Sequence, residues 1–74
     1  MGGALFSARY AIDPHFRWRE ERIAYEAEVA YLLAAGYPIR REDLVADVMA
    51  PMYRGMVSRE EAERWAAGLV PPPR

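Results

Sequence analysis

Seventy-four residues at 53% hydrophobic content make one small domain, too apolar to stay disordered and near the lower size limit for a single core. Ten Arg stand against 11 acidic residues for a net charge of −1, so bulk electrostatics favour neither nucleic acid nor an anionic membrane. The absence of Cys excludes disulfides and thiolate sites, and no run approaches the ~20 apolar residues that a membrane span needs.

Residues 1–12, MGGALFSARYAI, lack a basic region before their short apolar stretch, so no signal peptide is expected. Phe6 stands where N-myristoylation requires Ser or Thr. The expected location is the cytoplasm. Phe6, Ala8, Tyr10 and Ile12 alternate with period two, which suits an extended segment. No second strand pattern follows for it to pair with, and a lone strand leaves its backbone unsatisfied. The segment is therefore expected to be an N-terminal arm, irregular or a short helical turn laid over the helices. A strand that pairs with another chain is the alternative.

Residues 14–35 predict the long central helix, with Asp13 as N-cap and Pro14 at the first helical position. No Gly or Pro interrupts it until Gly36, suited to a left-handed C-terminal cap, and Pro38 forbids continuation. Its length is ~33 Å at 1.5 Å per residue. At 100° per residue the helix carries two apolar stripes instead of one. Phe16, Ile23, Ala27, Ala30 and Ala34 form an Ala-rich line; Trp18, Tyr25, Val29 and Leu32 form an aromatic line nearly opposite. Charged ridges separate them, Arg17, Glu21 and Glu28 on one side and Arg19, Arg22 and Glu26 on the other. A helix with two apolar stripes should lie between two layers.

Tyr37, Pro38 and Ile39 predict a short extended link, followed by a second helix over 41–54 with Glu42 and Asp43 in its first turn. Leu44, Val45, Val48, Met49 and Met52 form its apolar arc, and Pro51 should break it near Met49. Ser58-Arg59-Glu60-Glu61 is a capping box that opens a third helix over 58–68, with Val57 and Ala62 placed for a hydrophobic staple. Ala62, Trp65, Ala66 and Leu69 share one face; Gly68 and the proline run should end the helix, leaving a Pro-rich tail over 70–74.

The parts for catalysis are missing. His15 is the only histidine, with neither a nucleophile nor an orienting carboxylate placed beside it. Ser58 is occupied as a cap. No His pair, Glu-x-x-His or thiolate offers a metal site. Glu21 and Glu28 share a ridge with Arg17, and the plain reading is a solvated face with an Arg17–Glu21 pair worth a few tenths of a kcal/mol. The second and third helices can be aligned with a helix-turn-helix, but the would-be recognition helix presents Glu60, Glu61 and Glu63, which phosphate would repel. Arg40 and Arg41 read as a solvated basic pair in the link.

That leaves a partner. Bulk divides the two stripes: the Ala-rich line permits close approach of the chain's own helices, and the aromatic line offers area and polar handles for an interface. Trp18, Arg22, Tyr25, Val29 and Leu32 are the expected partner-binding residues.

The string Tyr53-Arg54-Gly55-Met56-Val57-Ser58-Arg59-Glu60-Glu61-Ala62-Glu63-Arg64-Trp65-Ala66 resembles a segment of small actinobacterial-type proteins, some similar to immunity proteins of polymorphic toxins. The resemblance implies a small partner-binding protein and carries over no functional residue. The expectation is an all-α, three-helix domain with one long central helix and an extended N-terminal arm. It is read as non-catalytic, without metal or cofactor, acting as a regulator, neutraliser or accessory subunit by binding another protein chain, a second copy or a larger partner. A DNA-binding regulator is the competing reading; no nucleic-acid, membrane or small-molecule ligand is expected.

Overall fold

The computed structural model describes residues 3–71, with side chains described from Ala8 onward. Among these residues there is no strand. The elements are α1 (Gly3–Ile12), α2 (Pro14–Ala34), α3 (Arg41–Val48), a single 3₁₀ turn (Pro51–Tyr53) and α4 (Arg59–Leu69), within an envelope of 44 × 26 × 17 Å.

Of the forms expected for the N-terminal arm, the helical one is found, longer than a single turn, as α1. With no strand to pair with, a helix satisfies the segment's own amides and carbonyls, and that requirement outweighs the period-two pattern. The side chain of Phe6, on which that pattern leaned, lies outside the described residues, as do Met1, Gly2 and the tail residues 72–74.

Asp13 breaks α1 from α2. Its backbone is extended (φ −111°, ψ 102°), and its carboxylate accepts from the amides of His15 and Phe16 at 3.0 and 3.1 Å. Those bonds hold the Asp13 carboxyl below its ordinary range, the Phe16 amide foremost. With Pro14 next, the chain turns a corner, and the last turn of α1 meets the first turns of α2. The far end of α2 closes as its sequence foretold: Gly36 takes φ +86°, its amide donates to the Leu33 carbonyl, and the Tyr37 amide donates to the Leu32 carbonyl. This is the Schellman arrangement.

Two arginines close helix ends from elsewhere in the chain. Arg17 is buried, 5% exposed, and its guanidinium donates to the Tyr10 and Ala11 carbonyls at the end of α1 (2.7 and 3.1 Å) and to the Tyr53 carbonyl at the end of the 3₁₀ turn (3.2 Å). One side chain thus satisfies the loose carbonyls of two helical termini, whose dipoles also favour a cation. The surface pair expected between Arg17 and Glu21 does not form; Glu21 accepts the Tyr10 hydroxyl at 2.6 Å instead. Arg41, expected as a solvated residue of the link, reaches across to the end of α4 and donates to the carbonyls of Val70 and Ala67 at 2.7 and 3.2 Å.

The core joins α2, α3 and α4 around Trp18, Val29, Leu44, Val45, Val48, Met56, Val57, Ala62, Ala66 and Val70. The arc of α3 is therefore as predicted apart from Met52, which is exposed because Pro51 diverts the chain into the 3₁₀ turn. Arg54 and Gly55, both at positive φ, then swing it toward α4. Gly68 does not end α4. The helix runs on to Leu69, and Val70 is extended (φ −114°, ψ 122°), the conformation that the following Pro71 imposes.

Candidate functional site

The stripe of α2 that packs on the chain's own helices is the aromatic one, not the Ala-rich one as expected. Trp18 and Val29 are buried within the chain itself, and Tyr25 packs against that core. On the Ala-rich line only Phe16 is buried, beneath the guanidinium of Arg9 at 4.5 Å. Ile23 is 56% exposed, and Ala27, Ala30 and Ala34 face outward. The reason is magnitude. Burial stabilises by about 25 cal/mol per Å² of apolar surface, and a Trp or Tyr offers several times the area of an Ala. Leaving alanines outside costs little, so the bulky stripe is the one turned inward.

Polar handles that looked suited to an interface are satisfied inside. The Trp18 indole N–H donates to the Glu61 carboxylate on α4 (3.1 Å), and the Trp65 indole N–H donates to the Glu26 carboxylate on α2 (2.9 Å). Glu61 was expected to complete the capping box. Ser58 does accept the Glu61 amide at 3.1 Å, but the carboxylate turns to Trp18. Arg22 lies 5.8 Å over the Trp18 ring and pairs with Glu26 at 3.9 Å, shielding the core instead of standing free for a partner.

The remaining members of the expected partner set, Tyr25, Val29 and Leu32, belong to a different feature. α3 packs chiefly on α4, and between α2 and α3, above their shared core, lies a surface hollow. It forms a groove of about 210 Å³, with Val29 and Leu44 at its floor and Leu32, Pro38 and Ile39 at one end. The groove continues past Tyr25 into a recess of about 310 Å³ bounded by Glu21, Ala24, Glu28, Asp47 and Tyr53. At the junction the Tyr25 and Tyr53 hydroxyls are 3.2 Å apart. Burial first, and then this hydrogen bond, push the Tyr25 phenol well above its ordinary pKa, and the nearby Asp47 and Glu21 carboxylates add to the shift. Tyr25 is accordingly a neutral donor and acceptor at physiological pH.

The walls are acidic. Glu21, Glu28, Asp43 and Asp47 line the two connected hollows, against the single guanidinium of Arg40. Arg40 is already shared between Glu42 and Asp43, both at 3.7 Å. Two of these acidic positions, Glu21 and Glu28, share a ridge of α2 in the sequence, and Asp43 lies in the first turn of α3. That these positions face one another across one groove follows only from the packing of α3 on α4.

His15 is exposed at the start of α2, and among the described residues no group of His, Asp or Glu gathers three potential metal ligands. No helix of the described residues is long and apolar enough to cross a membrane. The sequence matches no protein-family profile and no curated protein, and its fold matches no solved structure.

Proposed function

We propose that this chain is a non-catalytic protein-interaction module, a regulator, neutraliser or accessory subunit, and that the α2–α3 groove receives a segment of another protein. The observation that carries the reading is the surface hollow between α2 and α3. Half-buried Tyr25, Leu32 and Ile39 and exposed Pro38 line it above the buried Val29 and Leu44, with charge at the rim, the composition typical of a docking groove. The resemblance of residues 53–66 to a segment of small actinobacterial-type proteins, some similar to immunity proteins, implies the same kind of role. A DNA-binding role gains no support from the arrangement: residues 49–58 separate α3 from α4, far more than the turn of about three or four residues in a helix-turn-helix. The outward side of α4 also carries Glu60 and Glu63.

The test is site-specific photo-crosslinking in the native host, with the photoreactive side chain placed at Leu32 on the groove or at Ile23 on the outward face of α2. A discrete protein adduct at Leu32, competed away by unlabelled protein and missing at Ile23, is the expected result. No adduct at Leu32, or the same adducts from both positions, would refute the reading.

A further inference from the structure

The second half of α2 is apolar on both sides. At about 100° per residue, Ile23, Ala24, Ala30, Tyr31 and Ala34 lie within ~60° of Ala27, on the side away from Trp18 and Val29. All six are exposed, Ile23 at 56% and Tyr31 at 73%, and none is charged. α1 meets only the start of this side, where Phe16 is buried beneath Arg9. A surface helix ordinarily turns charged side chains outward, and a helix apolar all round belongs between two layers. The chain's own core supplies one of those layers. Its total surface fits a missing second one. A folded monomer of 8.5 kDa exposes about 4,650 Å², whereas this chain exposes 5443 Å². The excess is about 800 Å², the share that one partner contributes to an interface of standard size.

We infer that the outward side of α2 is a self-association surface, on which a second copy of this chain lays its own α2 antiparallel about a two-fold axis at Ala27. The axis follows from the spacing. Ile23 and Tyr31 stand at equal steps on either side of Ala27. An antiparallel pairing centred there seats each Ile23 against the Tyr31 of the other copy and sets alanine on alanine at the crossing. A two-fold contact requires this self-complementarity. Small residues at the crossing let the helix axes approach to about 8 Å, so that the two larger side chains on each copy can close over the gap. The border of this side does not suit a lipid surface. Glu20, Glu26 and Glu28 stand along it with Arg19, where a membrane-surface helix carries Lys and Arg. Ala27 points away from Val29, so a copy seated here leaves the α2–α3 groove free for a different partner.

The experiment is sedimentation velocity of the full chain from ~1 to ~300 µM, a range that brackets the expected dissociation constant of about 10⁻⁵ M. The mass should double across it. Ala27→Arg should keep the wild-type helix content and melt at ~1 µM, yet stay monomeric at ~300 µM, a loss of more than about tenfold in association. Ala46→Arg, at an exposed position of α3, should dimerise like wild type. The chain has no cysteine of its own, so single thiols report the geometry. Under mild oxidation, Ala27→Cys should form a disulfide dimer about tenfold faster than Ala46→Cys, because only the first brings two thiols within bonding reach. A mixture of Ile23→Cys and Tyr31→Cys should give mainly the mixed disulfide. A chain that stays monomeric to ~300 µM would overturn the proposal, whether lipid vesicles or another host protein then occupy the face. A dimer that Ala27→Arg leaves intact, or Tyr31→Cys cross-linking as fast alone as with Ile23→Cys, would overturn it too.

Discussion

Trp18 and Trp65 meet edge to face, ring centres 5.1 Å apart and planes at 78°, and each indole N–H is held by a carboxylate on the other's helix. Tyr25 adds a second edge-on contact to Trp65 at 6.1 Å. The two helices are thus joined by a reciprocal clasp: α2 supplies Trp18 and Glu26, and α4 supplies Trp65 and Glu61. Edge-to-face geometry sets the positive rim of one ring against the negative face of the other, and the two hydrogen bonds fix which edge is presented.

Trp18→Ala should therefore cost about 3–5 kcal/mol, a large share of the ~5–10 kcal/mol available to a domain of this size. Urea unfolding followed by circular dichroism measures it. A loss under ~1 kcal/mol would mean that the clasp does not carry the α2–α4 interface.

Arg17 makes a second, sharper case. Replacing it by Met keeps the apolar stem but leaves three carbonyls, on Tyr10, Ala11 and Tyr53, without that donor. The expected loss is about 2–4 kcal/mol, and Arg17→Lys should recover only part of it because an ammonium lacks the planar fork. Arg19→Lys, on an exposed neighbour, should change stability by less than ~0.5 kcal/mol. Chemical denaturation of the three variants in parallel checks the ordering.

Much of this fold is legible residue by residue. Asp13, Pro14, Gly36, Pro51 and Ser58 mark their boundaries through local chemistry, and local chemistry is what a sequence states directly. The two stripes of α2 were legible as well, but which one faces inward was not. A helical wheel shows that apolar lines exist; it does not weigh their areas against each other, and here area decides. Arg17 was read as a surface residue because a lone Arg usually is. Its burial depends on the end of α1, at Tyr10 and Ala11, and the end of the 3₁₀ turn, at Tyr53, arriving at one place beside it. The groove has the same origin. Tyr25, Val29 and Leu32 were singled out for a partner and do line it, whereas Glu28, Asp43 and Asp47 were each visible only as a helix's polar side.

Alkaline pH should weaken the fold through its tyrosines. Burial, and then the hydrogen bond to Glu21, raise the Tyr10 phenol from 10.0 to about 12 in the folded chain. A raised folded pKa means that the native state holds its proton more tightly. The contribution is thus fully present below pH 10 and is lost as pH climbs from 10 toward 12. Tyr25 acts with the same sign. Asp13 works in the opposite direction: its folded pKa is lowered, so its contribution holds above the unfolded value of 3.8 and fades as pH falls through the folded one. Stability measured against pH should slope downward above 10, and Tyr10→Phe should flatten part of that slope. A Tyr10→Phe profile parallel to wild type would contradict the assignment.

The central structural claim is the division of α2 into an inward aromatic side and an outward alanine side, because the groove exists only with that orientation. Val29 and Ala30 are neighbours in sequence; Val29 is 3% exposed in the core and Ala30 faces outward. The most direct measurement is the unfolding free energy of Val29→Glu beside that of Ala30→Glu. A buried unpaired carboxylate at 29 should cost more than ~3 kcal/mol, enough to leave the chain largely unfolded, whereas glutamate at 30 on an exposed helical surface should shift stability by less than ~0.5 kcal/mol. The reverse order, with Ala30→Glu unfolding the chain and Val29→Glu tolerated, would turn α2 over and contradict the account.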